Sequence, residues 1–414
     1  MSVLPNDCFL HDRDRLRHHE ALAIIRERVS CAVEHQTVPV SAASGRVLAA
    51  DVRAPRPIPA HRNAAVDGYA FRAADQRDAE LPVTQRIAAG QVGDPLASGT
   101  AVRIFTGAPM PPGADTVAMQ EDVSVASNGI RLPQIKAGAN VRGEGEDFPV
   151  GTLLANAGAR LRPQDVAAIA AAGVASVIVR RSVHVGVLAN GAEILTAGEP
   201  FRDAAVYDSN TPMLTGLLRG FGHQPVPLGI APDDAFAVRE RMTKAITEVD
   251  ALITVGGASK GEEDHVLSAL DELGSRHLWQ LAVKPGRPLI MGEIRGKPVV
   301  GLPGNPVAAF VCTLLYVRPL LECLSGTHPR EPARYSVPSE FALRSKPDRR
   351  EFLRGRIEGT ASGARVTKFP RDGSGLISGL TSSTGLIEIA EEVETVEVGE
   401  PIPFIPYTEL GVSS

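Results

Sequence analysis

The residues best suited to chemistry lie between 250 and 306. An apolar run, Asp250-Ala-Leu-Ile-Thr-Val255, opens into Gly256-Gly257-Ala258-Ser259-Lys260-Gly261, with Glu262, Glu263 and Asp264 directly behind. Glycines expose backbone N–H groups and tolerate positive φ, so Gly256, Gly257, Ser259 and Gly261 make a credible phosphate cradle at a strand end. The loop is not a Walker A motif, because Glu262 stands where lysine must follow the glycine, nor is it GxGxxG. An ordinary strand-to-helix turn would use the same residue types. Asp264, near a helix start, complements the helix dipole. Behind a phosphate loop it also suits Mg²⁺, which takes one or two carboxylates together with substrate phosphate and water. A second run leads to Lys284-Pro285-Gly286-Arg287-Pro288, where a proline follows each cation and holds it for an oxyanion. A third, Val299-Val-Gly-Leu302, leads to Pro303-Gly304-Asn305-Pro306. Three strand ends thus offer amides, two cations and a carboxylate, which suits a phosphate-rich substrate with a metal ion.

Composition narrows the class. The chain has 414 residues, too many for one core, so two to four domains are expected. At 43% hydrophobic and 22% charged it is globular. Its 43 basic residues against 48 acidic ones argue against general nucleic-acid binding, which needs a basic face. The four cysteines form no CxxC pair, and the histidines no HExxH or HxxxH pair, so no zinc site is expected. The first twenty residues are crowded with His, Asp and Arg and do not resemble a signal peptide. The run 166–179 is too short and too rich in Ala and Gly to span a bilayer. A soluble, cytoplasmic protein is expected.

Taken in order, residues 14–35 are expected to form one helix with Leu16, Leu22, Ile25 and Val29 on one face. Pro55, Pro57 and Pro59 mark an extended linker. Residues 60–147 suggest a small β-rich domain, and Arg162–Gly173 a helix with Pro163 near N1 and Gly173 at its end. From 183 to 324, strands alternate with helices. Strands are expected at 183–188, 225–230, 250–255, 278–283 and 299–302. Helices are expected from Thr211 and at 232–249 and 263–273; Asn305 caps a final one with Pro306 at N1. Such alternation implies a parallel, doubly wound sheet that binds ligands beyond its strand C-termini. Residues 330–414 alternate polar and apolar and suggest a small antiparallel β-barrel or sandwich.

Together these stretches resemble the MoeA family, the molybdopterin molybdenumtransferases related to the E domain of gephyrin. The resemblance runs in order through AAVDGYA (64–70), IFTGAPMPPGADTVAMQED (104–122), NVRGEGED (140–147), YDSN (207–210), DALITVGGASKGEED (250–264), AVKPGRP (282–288) and GLPGNP (301–306). Arg349, Arg350, Phe352-Leu-Arg-Gly355 and Gly373-Ser374 fit the family's C-terminal domain. The resemblance implies an α/β multidomain protein: an elongated helical domain from segments 1–52 and 148–181, a β-rich insert at 53–147, a MogA-like parallel-sheet α/β molybdopterin-binding domain at 182–328, and a C-terminal β-barrel at 329–414. It implies a homodimer whose cleft lies between the α/β domain and the partner's β-rich domain. It also implies dealings with a MogA-type adenylyltransferase and with molybdoenzyme maturation proteins. The implied reaction takes adenylylated molybdopterin and molybdate, releases AMP and uses Mg²⁺. By position in the motifs, Asp67, Thr106, Arg142, Asp147, Glu193, Asp233, Asp264 and Lys284 are the implied catalytic residues. Gly256, Gly257, Ser259, Gly261, Lys284, Arg287, Pro303, Asn305, Arg349 and Ser374 are the implied cofactor-binding residues, and Asp264 and Glu193 the metal ligands. Two stretches differ from the family. Ala189-Asn-Gly-Ala-Glu-Ile194 stands where Ser-Thr-Gly-Asp-Glu-Leu is typical, and Gln280 stands where lysine often follows the aromatic residue. A non-catalytic molybdopterin-binding or cofactor-delivery paralog, and a general nucleotide phosphohydrolase, are the alternative readings.

Overall fold

A computed structural model describes residues 15–77, 79–256, 265–286, 288–361 and 363–412, with the backbone alone at 276–280, 288 and 360. The chain divides into two units. One comprises Met1–Gln36 with Arg180–Ser414, the other Thr37–Val179.

The 37–179 unit carries a four-stranded sheet in the order Val83–Ile87, Ala101–Ile104, Gly68–Phe71, Thr116–Met119. Ala70, Ile87, Val102, Ile104 and Val117 pack on one side of it. A second cluster gathers Ala43, Leu48, Val52, Leu161, Ile169 and Val179 around the helix Pro163–Ala171. That helix begins as expected: Pro163 occupies N1, and the Asp165 carboxylate accepts the Arg162 N–H at 2.8 Å.

In the other unit the first helix is shorter than expected, His18–Arg28 rather than 14–35. Val29 turns extended at its end, and the Val29/Val33 pair joins the core as non-helical chain. Branching at Val Cβ disfavours helix once tertiary packing offers an alternative. Ala21 and Ile25 pack against the helical stretch Pro306–Leu324. That stretch is long and apolar enough to cross a membrane by length and composition, more so than the 166–179 run, and it is buried within this unit. It runs as α-helix to Cys312, as a π turn over Thr313–Val317, and as α-helix again from Arg318.

The central sheet has the order Gln224–Ala231, His184–Asn190, Ala251–Val255, Lys297–Leu302, Pro288–Ile294, Ser275–Gln280. The first four strands pair in parallel; Pro288–Ile294 runs antiparallel to both its neighbours, so Ser275–Gln280 again points the same way as the first four. The all-parallel expectation is corrected by one hairpin. Arg295 and Gly296 both take positive φ, 51° and 76°, and turn the chain back between Pro288–Ile294 and Lys297–Leu302. A two-residue turn of this kind favours Asn-Gly or Asp-Gly, so Arg-Gly hid the strand Pro288–Ile294 from pattern reading. Both faces are covered. Val185, Val187 and Ile253 pack toward Leu214, Leu218 and Leu314, whereas Leu188, Leu252 and Val299 pack toward Val238, Met242, Val266 and Leu270.

Residues 335–406 form mainly antiparallel strands. The hydrogen-bonded path runs Gly363–Lys368, Arg350–Thr360, Gly385–Ile389, Pro401–Pro406, Tyr335–Pro338. Ser339 then bridges back to Val366, so the path returns on itself. On Arg350–Thr360 the short strand Val283–Lys284 adds in parallel, pairing Lys284 with Glu351.

Where the central sheet begins, the half-buried Asp250 accepts hydrogen bonds from Arg181 Nη1 and Nη2 (2.8 and 2.9 Å) and from the His184 N–H (2.7 Å). Burial pushes its carboxyl up, yet the Arg181 and His184 hydrogen bonds and the guanidinium charge outweigh this and hold it below the ordinary range. A depressed carboxylate stabilises the fold above its unfolded value and loses that contribution as pH falls through the folded value. Asp250→Asn is therefore expected to cost about 2 kcal/mol in urea unfolding at neutral pH. The deficit should start to shrink as the pH falls below about 4, where the unfolded carboxylate takes its proton, and be lost only below the lower folded value.

Candidate functional site

Parallel strands deliver the chain to one edge of the sheet. Gly256, directly after Ala251–Val255, has φ +88°, and a Cβ there would lie 2.3 Å from the Asn190 carbonyl oxygen. No other residue type fits that crossing. The Gly256 N–H donates to Leu302 O at 3.2 Å, which brings the Pro303–Pro306 turn alongside. Asn210 Nδ2 then donates to Gly304 O at 2.7 Å, and the Asp208 carboxylate receives the N–H groups of Asn210 and Thr211 at 3.0 Å each. YDSN thus ties one helix start to the PGNP turn. Asn305 stands at the N-cap position with Pro306 at N1, but its side chain makes no capping hydrogen bond. Gly257, Ser259, Gly261, Asp264 and Arg287 lie outside the described residues.

Two expected carboxylates border this edge. Glu193 is exposed, its carboxylate folded over Gly191 and without a hydrogen-bond partner among the described residues. Asp233 lies 3.6 Å from Nε2 of His265, the first residue of His265–Leu273. Among the described residues no three His, Cys, Asp or Glu side chains gather into a metal cage. An uncommitted carboxylate at a strand end is the donor set for Mg²⁺ that takes most of its shell from phosphate and water.

The Lys284 turn opens onto a cavity of about 380 Å³ lined by Pro303 and Asn305 on one side and Arg354, Lys368 and Ser374 on the other. The Lys284–Pro285 peptide is cis, and Gly286 has φ +105° with Cys312 Sγ 2.3 Å from where a Cβ would stand. Lys284 Nζ donates to Glu351 Oε2 at 3.1 Å, while Arg349 Nε and Nη2 donate to Glu351 Oε1 at 3.0 and 2.6 Å. Burial pushes the Glu351 carboxyl up, but those hydrogen bonds and the two positive charges hold it below its ordinary value. Arg354, itself buried, donates to Leu376 O and Arg371 O and lies 4.8 Å over the Phe369 ring. It fastens the 369–376 loop, whose Ser374 carbonyl accepts the Val307 N–H at 3.0 Å.

Arg349 and Arg350 separate: Arg349 stands one residue before the strand Arg350–Thr360, and Arg350 opens it. Arg349 joins Glu351 and lines a second, smaller pocket of about 150 Å³ that shares the Lys284–Gly286 turn. Arg350 instead binds Glu388 (2.7 Å) and Glu391 (2.8 and 3.0 Å).

In the 37–179 unit, Asp67 and Thr106 come together. The Thr106 N–H and Oγ1 both donate to Asp67 Oδ1 at 2.8 Å, the backbone bond being the main cause that lowers the Asp67 carboxyl below its ordinary value. Arg142 sits on Val141–Arg142, opposite Asn63, and the Asp147 N–H donates to Ile58 O. Both side chains are exposed, and no hydrogen bond joins either to Asp67 or Thr106 among the described residues.

Glu351, Arg354, Lys368 and Asn210 were not among the expected site residues. Arg354 and Asn210 lie inside motifs already singled out, but Glu351 needed one further step. Its signal is the register that sets it opposite Lys284 across two strands, which no local pattern shows.

Comparison with known proteins gives the family. Residues 16–173 match the MoeA N-terminal region (domain I and II), residues 186–323 a probable molybdopterin binding domain, and residues 336–407 the MoeA C-terminal region (domain IV). A molybdopterin molybdenumtransferase of Haemophilus influenzae is 32% identical over 399 residues, 94% of this chain and 98% of that one. Molybdopterin molybdenumtransferase 2 of Mycobacterium tuberculosis is 35% identical over 379 residues, 88% of this chain and 93% of that one. The crystal structure of a molybdopterin biosynthesis MoeA protein from Pyrococcus horikoshii superposes with a TM-score of 0.82 at 30% identity, covering 95% of this chain and 100% of the other. By identity and coverage together, the chain belongs to the MoeA family.

Proposed function

We propose that this chain is a molybdopterin molybdenumtransferase that takes molybdenum from molybdate onto adenylylated molybdopterin and releases AMP. The observation that carries the reading is the cavity beside Lys284. It is large enough for a tetrahedral oxyanion, is lined by Lys284, Arg354 and Lys368 with one carboxylate, Asp372, 3.4 Å from the Lys368 ammonium, and shares the Pro303–Asn305 turn with the strand-end edge where Gly256 lies. Cleaving a phosphoanhydride demands chiefly positioning and charge neutralisation. Lys284 with Arg349 would attract the oxyanion, and the Gly256–Gly261 loop would hold the phosphates. Asn305 and Ser374 would orient the group between them. Glu193 and Asp264 would hold Mg²⁺, which supplies neutralising charge to the phosphoanhydride when bound. In this reading Asp67, Thr106, Arg142, Asp147 and Asp233 complete the cleft, two copies form the working unit, and it operates in the cytoplasm. The four-domain division, with a C-terminal barrel, belongs to the same proposal.

The test is AMP release from adenylylated molybdopterin in saturating Mg²⁺ with and without molybdate. Release that rises with molybdate supports the proposal, and release indifferent to molybdate sinks it. One observation favours the paralog reading. Where the family carries an aspartate, Ala192 offers only its carbonyl, which accepts from Arg202 Nη2. Tight pterin binding without turnover, together with activity gained by Ala192→Asp plus Gln280→Lys, would establish that alternative.

A further inference from the structure

We infer that Glu351 is a positioning residue that sets up the molybdate site, an assignment resting on the functional reading above. Its side chain is 3% exposed, and both carboxylate oxygens are committed: Oε1 to the Arg349 fork and Oε2 to Lys284. The pairing is set by backbone, because Lys284 and Glu351 are direct partners between Val283–Lys284 and Arg350–Thr360. Each cation comes from a different part of the unit, Lys284 from the turn beside the central sheet and Arg349 from the C-terminal strands. Without the carboxylate, two positive charges drawn to the same place would repel. Lys284, at 41% side-chain exposure, would return to the rotamer freedom of its four-carbon stem. Held by Glu351, which Arg349 anchors from the other oxygen, Lys284 is already placed at the cavity when a dianion arrives, so the oxyanion does not bear the cost of ordering it.

A bare electrostatic view predicts the reverse. Removing a negative charge beside an anion site should tighten anion binding. The sign of the effect therefore decides the matter. The full-length protein is titrated with molybdate alone by calorimetry, and AMP release is followed against molybdate and against adenylylated molybdopterin. Glu351→Gln keeps the shape and loses the charge. It is expected to weaken molybdate binding and raise the molybdate KM roughly ten-fold or more, with kcat and the pterin KM within about two-fold of wild type. Glu351→Asp, which keeps the charge on a shorter stem, should recover most of the loss and guards against a folding defect in the first variant. Molybdate binding that is unchanged or tighter in Glu351→Gln overturns the inference, as does a fall in kcat at constant molybdate KM. If the wild type binds molybdate but releases no AMP, the functional reading fails while the binding comparison still tests Glu351. If the wild type binds no molybdate, both fall.

Discussion

Lys284→Ala should lower molybdate-dependent AMP release by about 10²–10³-fold at fixed substrate, with little loss of stability. Its ammonium is one of the cations lining the cavity, and a preorganised charge aimed at developing negative charge is worth most in a partly closed site. The fold should tolerate the change. Glu351, which Lys284 partners, keeps the two bonds from Arg349, and Lys284 is 41% exposed on its side chain, so screening limits what its ion pair adds to stability. The check is a rate measurement beside a urea unfolding curve. A rate loss with an unmoved midpoint confirms the role, and a near-normal rate removes Lys284 from the reaction. Lys284→Arg should not restore the rate, because a planar fork on a different stem cannot place one point charge where the ammonium stood.

The two arginines beside Glu351 show how far the sequence could be read. Both Arg349 and Arg350 fit the C-terminal motif, Arg349 alone being expected at the site, and the structure separates them through their partners: Glu351 for Arg349, Glu388 and Glu391 for Arg350. Motif order revealed the α/β core and the Lys284 turn, because each depends on chemistry confined to a few adjacent residues; Asp67 and Thr106 were each singled out within a motif, but not as hydrogen-bonded partners. What stayed hidden depends on distant pairings. Glu351 gains its meaning from residue 284, sixty-seven positions away, and no local pattern marks such a partner. The reversed strand Pro288–Ile294 was missed for the opposite reason. Its Arg295-Gly296 turn is local, but it lacks the asparagine or aspartate that advertises positive φ. The early end of the first helix belongs with the distant causes, since the core that receives Val29 and Val33 is built from residues beyond 180.

Gly286→Ala should damage both fold and activity, and a second substitution should show why. At φ +105° an L-residue is strained by about 1–3 kcal/mol wherever it sits. The new methyl would also stand 2.3 Å from Cys312 Sγ, inside the buried wall of the Pro306–Leu324 stretch. Such overpacking costs about another 1–3 kcal/mol when the neighbour cannot retreat. Cys312 is fully enclosed, and burial pushes its thiol up to about 12, so it stays neutral and acts here through its size. If the turn yields instead, Lys284 is carried away from Glu351 and from the cavity, and the molybdate KM should rise with the loss of stability. Cys312→Ala alone should cost about 1–2 kcal/mol for the emptied space. Combined with Gly286→Ala, it gives the new methyl the room the sulfur left, so the double variant should be more stable than the sum of the single losses by about 1–2 kcal/mol. The φ strain remains and recovery stays incomplete. Strictly additive losses in the urea midpoints would mean that the Cys312 contact does not enforce glycine at 286, leaving backbone conformation as the sole reason for it.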